Sequence, residues 1–352
     1  MKSYDLVEFG QPMQERDKPT PEPKGTEVLV RVRRAGVCHS DLHLRQGFFD
    51  LGEDGKFEVK HRGMNLPMAL GHEILGEVVA AGPDALDAPI GETRLVHPWI
   101  GCGECRHCLD GRENDCAKMN PLGILQSGGY ASHVIVPHPK FLVDVTGLDF
   151  SEVTPYACSG VTVFNALKKA LPVEPDEALA IIGAGGLGLN AVALAKALDV
   201  PRVISVDIDD TKLAQAAEMG ADATLNSAST ETAIADLQAL ADGKLLAVVD
   251  TVGLPATAKL GVSALAKLGR YVLVGLYGGT MKLPMPWLPQ RSLTLRGSYV
   301  GSVRDLRELI DLVRTGKVKA LPTEERPLDQ VNQALDDLEA GKVTGRLVLT
   351  TD

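Results

Sequence analysis

The sequence lacks any excess of positive charge: 36 Lys and Arg stand against 46 Asp and Glu, a net charge of −10 with histidine neutral. No Lys/Arg-rich run interrupts that balance, which argues against nucleic acid or an anionic membrane as the main partner. An apolar leader is missing too, since Asp5 and Glu8 fall where an export segment needs hydrophobic residues, and this predicts cytoplasmic residence. The most apolar stretch, 178 to 195, is crowded by Gly183, Gly185, Gly186 and Gly188, so it predicts a strand, a turn and a helix rather than a membrane span. Internal repeats and low-complexity tracts are absent. The chain has 352 residues, 45% of them hydrophobic, enough for about two domains that need no disulfide staples. Its six cysteines are therefore read as metal ligands or buried thiols, and small-molecule chemistry becomes the default.

Two different patterns divide the chain. From Glu27 to about Pro137 short β-like segments (Val28–Val32, Gly76–Ala80, Thr93–Val96, His133–Val136) are separated by Gly, Pro and Asp, which predicts an irregular β domain. From Glu177 apolar strands alternate with Ala/Leu-rich helices. Strands are expected at Ala178–Ile182, Val203–Asp207, Ala223–Asn226, Leu246–Asp250, Tyr271–Val274 and Leu293–Leu295. Helices are expected at Leu187–Leu198, Thr211–Met219, Thr230–Ala241 and Ala256–Leu268. This βαβ alternation, with six strands, predicts a doubly wound parallel sheet in an α/β chain. Helices at Val303–Arg314 and Leu328–Ala340 and a strand at Gly345–Leu349 form a tail expected to rejoin the first domain.

Cys102, Cys105, Cys108 and Cys116 fall within fifteen residues of a Gly-, Asp- and Arg-rich loop. Their neighbours Gly103, Glu104, Arg106, His107 and Asp110 are too polar to line a core, so four thiolates point to a closed tetrahedral zinc site. With sulfur in all four positions, such a metal holds a loop together and leaves no place for substrate. Cys38, Cys158 and His72 remain. Two thiols and one imidazole match a zinc site with an open fourth position, although each alone also reads as a buried thiol or a hydrogen-bonded histidine. The context favours ligands, because Cys38 opens the polar run Cys38-His39-Ser40-Asp41-Leu42-His43 just after a strand.

Gly183-Ala184-Gly185-Gly186-Leu187-Gly188 satisfies G-x-G-x-x-G between an apolar strand and an Ala-rich helix, the context that makes this motif a dinucleotide fingerprint. Gly183 permits the tight turn, Gly185 lets backbone approach a pyrophosphate, and Gly188 lets helix and strand pack closely. Asp207 ends the next strand 19 residues beyond Gly188, where a carboxylate binds ribose hydroxyls and repels a 2′-phosphate, so NAD is preferred over NADP. Lys212 reads either as a ribose contact or as a solvated helix charge.

On these motifs the chain resembles, over essentially its whole length, the zinc-dependent alcohol dehydrogenases of the medium-chain dehydrogenase/reductase family. Gly71-His72-Glu73 looks like that family's zinc signature, and the four-cysteine cluster looks like its structural-zinc lobe. The resemblance implies a GroES-like, mostly β catalytic domain at 1–158 and 299–352, carrying the lobe at about 97–118, and a Rossmann domain at 159–298. It implies two zinc ions per chain, with Cys38, His72 and Cys158 around the catalytic one. It further implies Asp41 orienting His72, Glu73 close behind the metal, and Ser40 with His43 relaying the alcohol proton to solvent. His39 and Arg346 would contact the cofactor, Arg346 at its pyrophosphate. Thr162, Val252, Leu276 and Tyr299 would wall the cofactor cleft, and Trp99 the substrate pocket.

One segment departs from the family's compact members. Between Cys38 and His72 lie 33 residues, and the surplus falls in Gln46–Met68, which holds Phe48, Phe49, Phe57, Lys56, Lys60 and Arg62. It is read either as shaping the substrate entrance, with Phe48 and Phe49 in the pocket, or as a surface insertion. The expected reaction is reversible oxidation of an alcohol to an aldehyde or ketone. The alternatives are a polyol, an amino alcohol or a larger hydroxy metabolite as substrate, and, from another class, a zinc- and dinucleotide-binding protein without turnover. A homo-oligomer is expected, with a tetramer favoured.

Overall fold

The computed structural model describes residues 1–351. Its six-stranded sheet is parallel throughout, in the order Ala223–Asn226, Val203–Asp207, Ala178–Ile182, Leu245–Asp250, Arg270–Leu273, Thr294–Gly297. Ala178–Ile182 and Leu245–Asp250 are buried at every position, as strands covered by helices on both faces must be. Between these two neighbours the strand order reverses, which opens a crevice at their carboxyl ends.

The second sheet is mainly antiparallel and is built around Val28–Val37. That strand pairs with Glu73–Ala81, His133–Val136 and the C-terminal strand Arg346–Thr350. The tail thus returns to the N-terminal half, bringing Arg346 beside the start of Glu73–Ala81. Gly36 makes this approach possible, because a Cβ there would overlap the Glu73 carboxylate. The mixed α/β architecture is the expected fold class, and no helix among the described residues is long and apolar enough to cross a membrane.

Several boundaries differ from expectation. The helix expected over 256–268 runs Pro255–Ala264, opened by proline at its first position. The one expected over 230–241 begins only at Ala233, and the one over 328–340 is a 3₁₀ turn, Leu328–Gln330, followed by Val331–Glu339. The helix Ser159–Ala170 has no counterpart in the sequence reading. Ten of its twelve residues are buried, so it carries no polar stripe from which a helical period is legible. Gln46–Met68 is not a plain loop: Phe48–Asp50 and Lys56–Glu58 form an antiparallel hairpin, and a 3₁₀ turn covers Val59–Arg62.

Candidate active site

A cleft of about 1120 Å³ separates the two sheets. Cys38 and Cys158 reach it from different elements: Cys38 caps the helix His39–Gln46, and Cys158 stands at the start of Ser159–Ala170. His72 follows Gly71, whose φ of +85° and lack of a Cβ let the chain pass the Tyr130 ring. The ligand atoms of Cys38, His72 and Cys158 lie within 4.8 Å of one another, all buried.

The imidazole is oriented from behind. Asp41 Oδ1 lies 3.2 Å from His72 Nδ1, while Asp41 Oδ2 accepts from the Cys38 amide at 3.1 Å and the Tyr130 hydroxyl at 2.8 Å. A carboxylate at Nδ1 fixes the proton there, and the buried Nε2 has no hydrogen-bond partner among the described residues. An orphaned imidazole nitrogen beside two buried thiols is a donor set that zinc fits. The Cys38 thiol is pulled well below its ordinary range, first by a hydrogen bond from Cys158, against the opposing effect of burial. Tyr130 was not foreseen, because only the fold brings it to Asp41.

Glu73 is fully buried, and both carboxylate oxygens accept from one terminal nitrogen of Arg346 at 2.5 Å. Arg346 thus has a protein partner besides the pyrophosphate contact the resemblance implies. Its side chain spans from Glu73 to the glycine turn, where a Cβ on Gly186 would stand 3.1 Å from the other terminal nitrogen. Asp41, Glu73 and His72 do not line the cleft, whereas Ser40 and His43 do. These two lie three residues apart, on one face of their helix. Burial, with His39 nearby, holds the His43 imidazole below its ordinary range.

On the opposite wall Gly183 takes φ +95°, and a Cβ at Gly188 would overlap the Gly183 carbonyl, whereas a Cβ at Gly185 would meet nothing within 4 Å. Gly185 thus faces open space at the start of the helix Gly186–Ala197, a cradle that fits an anionic pyrophosphate. Asp207 lines the cleft, its carboxylate held by the amides of Ala184 at 2.6 Å, Ile208 at 2.7 Å and Asp209 at 3.1 Å. Leu187, Lys212, His39, Thr162, Val252, Leu276 and Tyr299 also line the cleft. His39 Nε2 meets the Tyr277 hydroxyl at 2.9 Å across it, a partner the sequence did not indicate.

Trp99 stands between the His72 ring at 5.6 Å and the Tyr299 ring at 5.9 Å, and its indole N–H donates to the Ala157 carbonyl. Phe49 lines the cleft 5.2 Å from the His43 ring. Phe48 does not: adjacent strand residues face opposite ways, and its ring lies under the Lys56 ammonium at 3.7 Å.

Away from the cleft, the sulfurs of Cys102, Cys105, Cys108 and Cys116 lie within 4.8 Å of one another. Cys105 and Cys102 stand 3.5 and 3.9 Å from Cys108, close to the roughly 3.8 Å edge of a tetrahedron with 2.3 Å bonds. Backbone amides point at the sulfurs, from Cys102 and Lys118 to Cys116 and from Cys105 to Cys102. Four convergent thiols with amide donors around them also suit zinc.

A dinucleotide-type crevice facing an open thiolate and imidazole pocket defines a class, the two-domain dehydrogenases. Residues 24–146 match the alcohol dehydrogenase GroES-like domain and residues 186–315 the zinc-binding dehydrogenase domain. The NAD-dependent alcohol dehydrogenases of Sulfurisphaera tokodaii and Saccharolobus solfataricus are 39% and 38% identical over 352 residues, covering 99% of every chain. The solved alcohol dehydrogenase of Aeropyrum pernix matches with a TM-score of 0.89 at 31% identity, over 99% of this chain and 100% of that one. The chain belongs to the zinc-binding alcohol dehydrogenases of the medium-chain dehydrogenase/reductase family.

Proposed function

We propose that this chain reversibly oxidises an alcohol to an aldehyde or ketone, with NAD as hydride acceptor and two zinc ions per chain. The observation that carries this reading is the convergence on one cleft of Cys38 and Cys158, the Ser40–His43 face and the Gly183–Gly188 turn. Cys38, His72 and Cys158 hold the catalytic zinc, and Cys102, Cys105, Cys108 and Cys116 the structural one. When bound, the catalytic zinc supplies a Lewis acid toward the alcohol oxygen and NAD accepts the hydride.

The chain's own residues supply the rest. Asp41 keeps the His72 proton on Nδ1, so that Nε2 stays free as a ligand. Ser40 takes the substrate proton and His43 passes it outward, a route favoured by their shared helix face on the cleft. Trp99, Phe49 and Tyr299 keep water from the reacting carbon. Gly185 and the following helix start receive the pyrophosphate. Arg346 pairs with Glu73 and turns its other terminal nitrogen toward the glycine turn, and Asp207 meets the ribose and disfavours a 2′-phosphate.

We assign 1–158 with 299–352 to the catalytic domain, its lobe at about 97–118, and 159–298 to the cofactor domain. Cytoplasmic residence and a homo-tetramer complete the reading. The unpaired outer edge of Thr294–Gly297 and the exposed Met281 and Met285 leading to it favour association. Light scattering tests the tetramer.

The deciding experiment follows NADH appearance on aliphatic, aromatic and polyhydric alcohols, with NADP in parallel. Turnover with NAD and simple alcohols is expected. Turnover confined to polyols or amino alcohols selects the alternative substrate class, and a zinc-replete protein silent on the whole panel contradicts the reading. Ser40→Ala is expected to lose at least tenfold in kcat while retaining NADH binding by fluorescence; turnover at the parent rate removes Ser40 from the proton path.

A further inference from the structure

The segment Gln46–Met68 is anchored on both sides of the cleft. Its hairpin tip reaches the cofactor-domain loop, where the Glu53 amide donates to Thr280 Oγ1 at 3.1 Å and Lys282 pairs with Glu53 at 3.0 Å. At its other end the Val59 amide donates to the Gly47 carbonyl at 2.9 Å, tying the 3₁₀ turn Val59–Arg62 to the end of the helix that carries Ser40 and His43. A 3₁₀ helix has three residues per turn, so Val59 and Arg62 share a face. Val59 is buried and lines the cleft, and Arg62, on the same face of the turn, lines it as an exposed residue.

Several charges near this turn have partners among the described residues. Lys60 pairs with Glu58, Lys56 lies over Phe48, and Glu339 on the cleft accepts from Arg45 and Gln46. Arg346 is neutralised by Glu73. Arg62 has no hydrogen bond or ion pair among the described residues, and the cleft it lines has an apolar component in Leu44, Phe49, Met64, Ile124 and Leu125. An unpaired guanidinium at the rim of an apolar pocket is a receptor for a planar anion at the far end of an otherwise apolar molecule.

We infer that Arg62 is a specificity residue that selects alcohols carrying a carboxylate at the end remote from the hydroxyl. The inference rests on the dehydrogenase reading above and names its substrate class: ω-hydroxyalkanoates and the corresponding oxo acids. The carboxylate stays at the rim, bound by the guanidinium fork, while the alkyl body fills the apolar wall and the hydroxyl carbon reaches the Cys38–Cys158 end. The hydride and proton balance is that of the parent reaction, so no further reactant is needed.

The test uses the zinc-replete enzyme and a series of ω-hydroxyalkanoates paired with primary alkanols of the same chain length. The readout is the ratio of kcat/KM for each acid to that of its neutral partner. For Arg62→Gln this ratio is expected to fall about tenfold, chiefly through KM of the acid, with recovery in Arg62→Lys. In the parent enzyme the ratio is expected to decline as salt rises, because the rim is screened. A ratio unchanged in Arg62→Gln overturns the inference, leaving Arg62 a solvated charge. A weakened NADH affinity at unchanged ratio also overturns it, assigning the guanidinium to the cofactor. Lack of NADH appearance on the acids, the alkanols and the wider alcohol panel alike is failure of the dehydrogenase reading, and so is told apart from failure of the Arg62 inference.

Discussion

His97 shows how one buried side chain adds a pH dependence to the fold. It is fully buried, stacked on Phe141, and its Nε2–H donates to the Gly301 carbonyl at 3.0 Å. Burial pushes its pKa down to about 4; Glu113 and Asp305 oppose the shift and Arg307 adds to it. Between pH 6.5 and 4 the unfolded chain takes a proton that the folded chain refuses, so stability falls as pH falls through that window, by up to about 3 kcal/mol. His97→Gln keeps a donor for Gly301 but cannot titrate. Its melting temperature is expected to drop less than the parent's between pH 7 and pH 4.5, and an identical pH slope would remove His97 as the cause. The glycine turn gives a second contrast at this scale. Gly185→Ala adds its methyl to open space and is expected to weaken NADH binding with the melting temperature nearly retained. Gly188→Ala, whose methyl meets the Gly183 carbonyl, is expected to lower both. Equal melting temperatures for the two variants would contradict this reading of the turn.

At the scale of elements, the cysteine lobe and the inserted hairpin are the parts least governed by regular structure. The lobe has only the short turns Arg106–Leu109 and Glu113–Asp115, and Arg304 ties it to the helix Val303–Arg314 through the Asp110 carbonyl. Metal affinity at a closed site is folding free energy. Cys105→Ser is therefore expected to lose one zinc per chain by elemental analysis and to melt several degrees lower. Full zinc content with an unchanged melting temperature would deny the lobe a metal. The spacing of its cysteines was readable because all four ligands sit in one short segment. The hairpin was not, since three-residue strands carry too few alternations to show a period. The helix Ser159–Ala170 escaped for the opposite reason: burial on nearly every side erases amphipathic contrast.

Across the whole molecule, the cleft is closed by contacts between the two halves. The His39–Tyr277 hydrogen bond and the Glu53–Thr280 contact both cross it. Tyr277→Phe removes one neutral hydrogen bond, worth about 1 kcal/mol, and is expected to speed NADH dissociation about fivefold in stopped-flow fluorescence. An unchanged dissociation rate would show that the bond does not hold the closed cleft. Arg346 belongs to this scale as well. It comes from the last strand, neutralises Glu73 from the first half and touches the glycine turn of the second, so one side chain links metal pocket and cofactor wall.

Local order in the chain was enough for the four-cysteine lobe, the G-x-G-x-x-G turn with Asp207, and the alternation that makes the parallel sheet. Each depends on residues close in sequence, where spacing and periodicity act directly. Cys38, His72 and Cys158 were legible as types of ligand, but their convergence within 4.8 Å came from three separate elements packed together. Only the tertiary structure could bring Tyr130 to Asp41, pair Arg346 with Glu73 across 273 positions, turn Phe48 away from the pocket, and leave Arg62 in the cleft lining without a partner among the described residues. Those outcomes depend on which surfaces bury together and which charges find partners, and pairing across long sequence separations leaves no mark in local spacing.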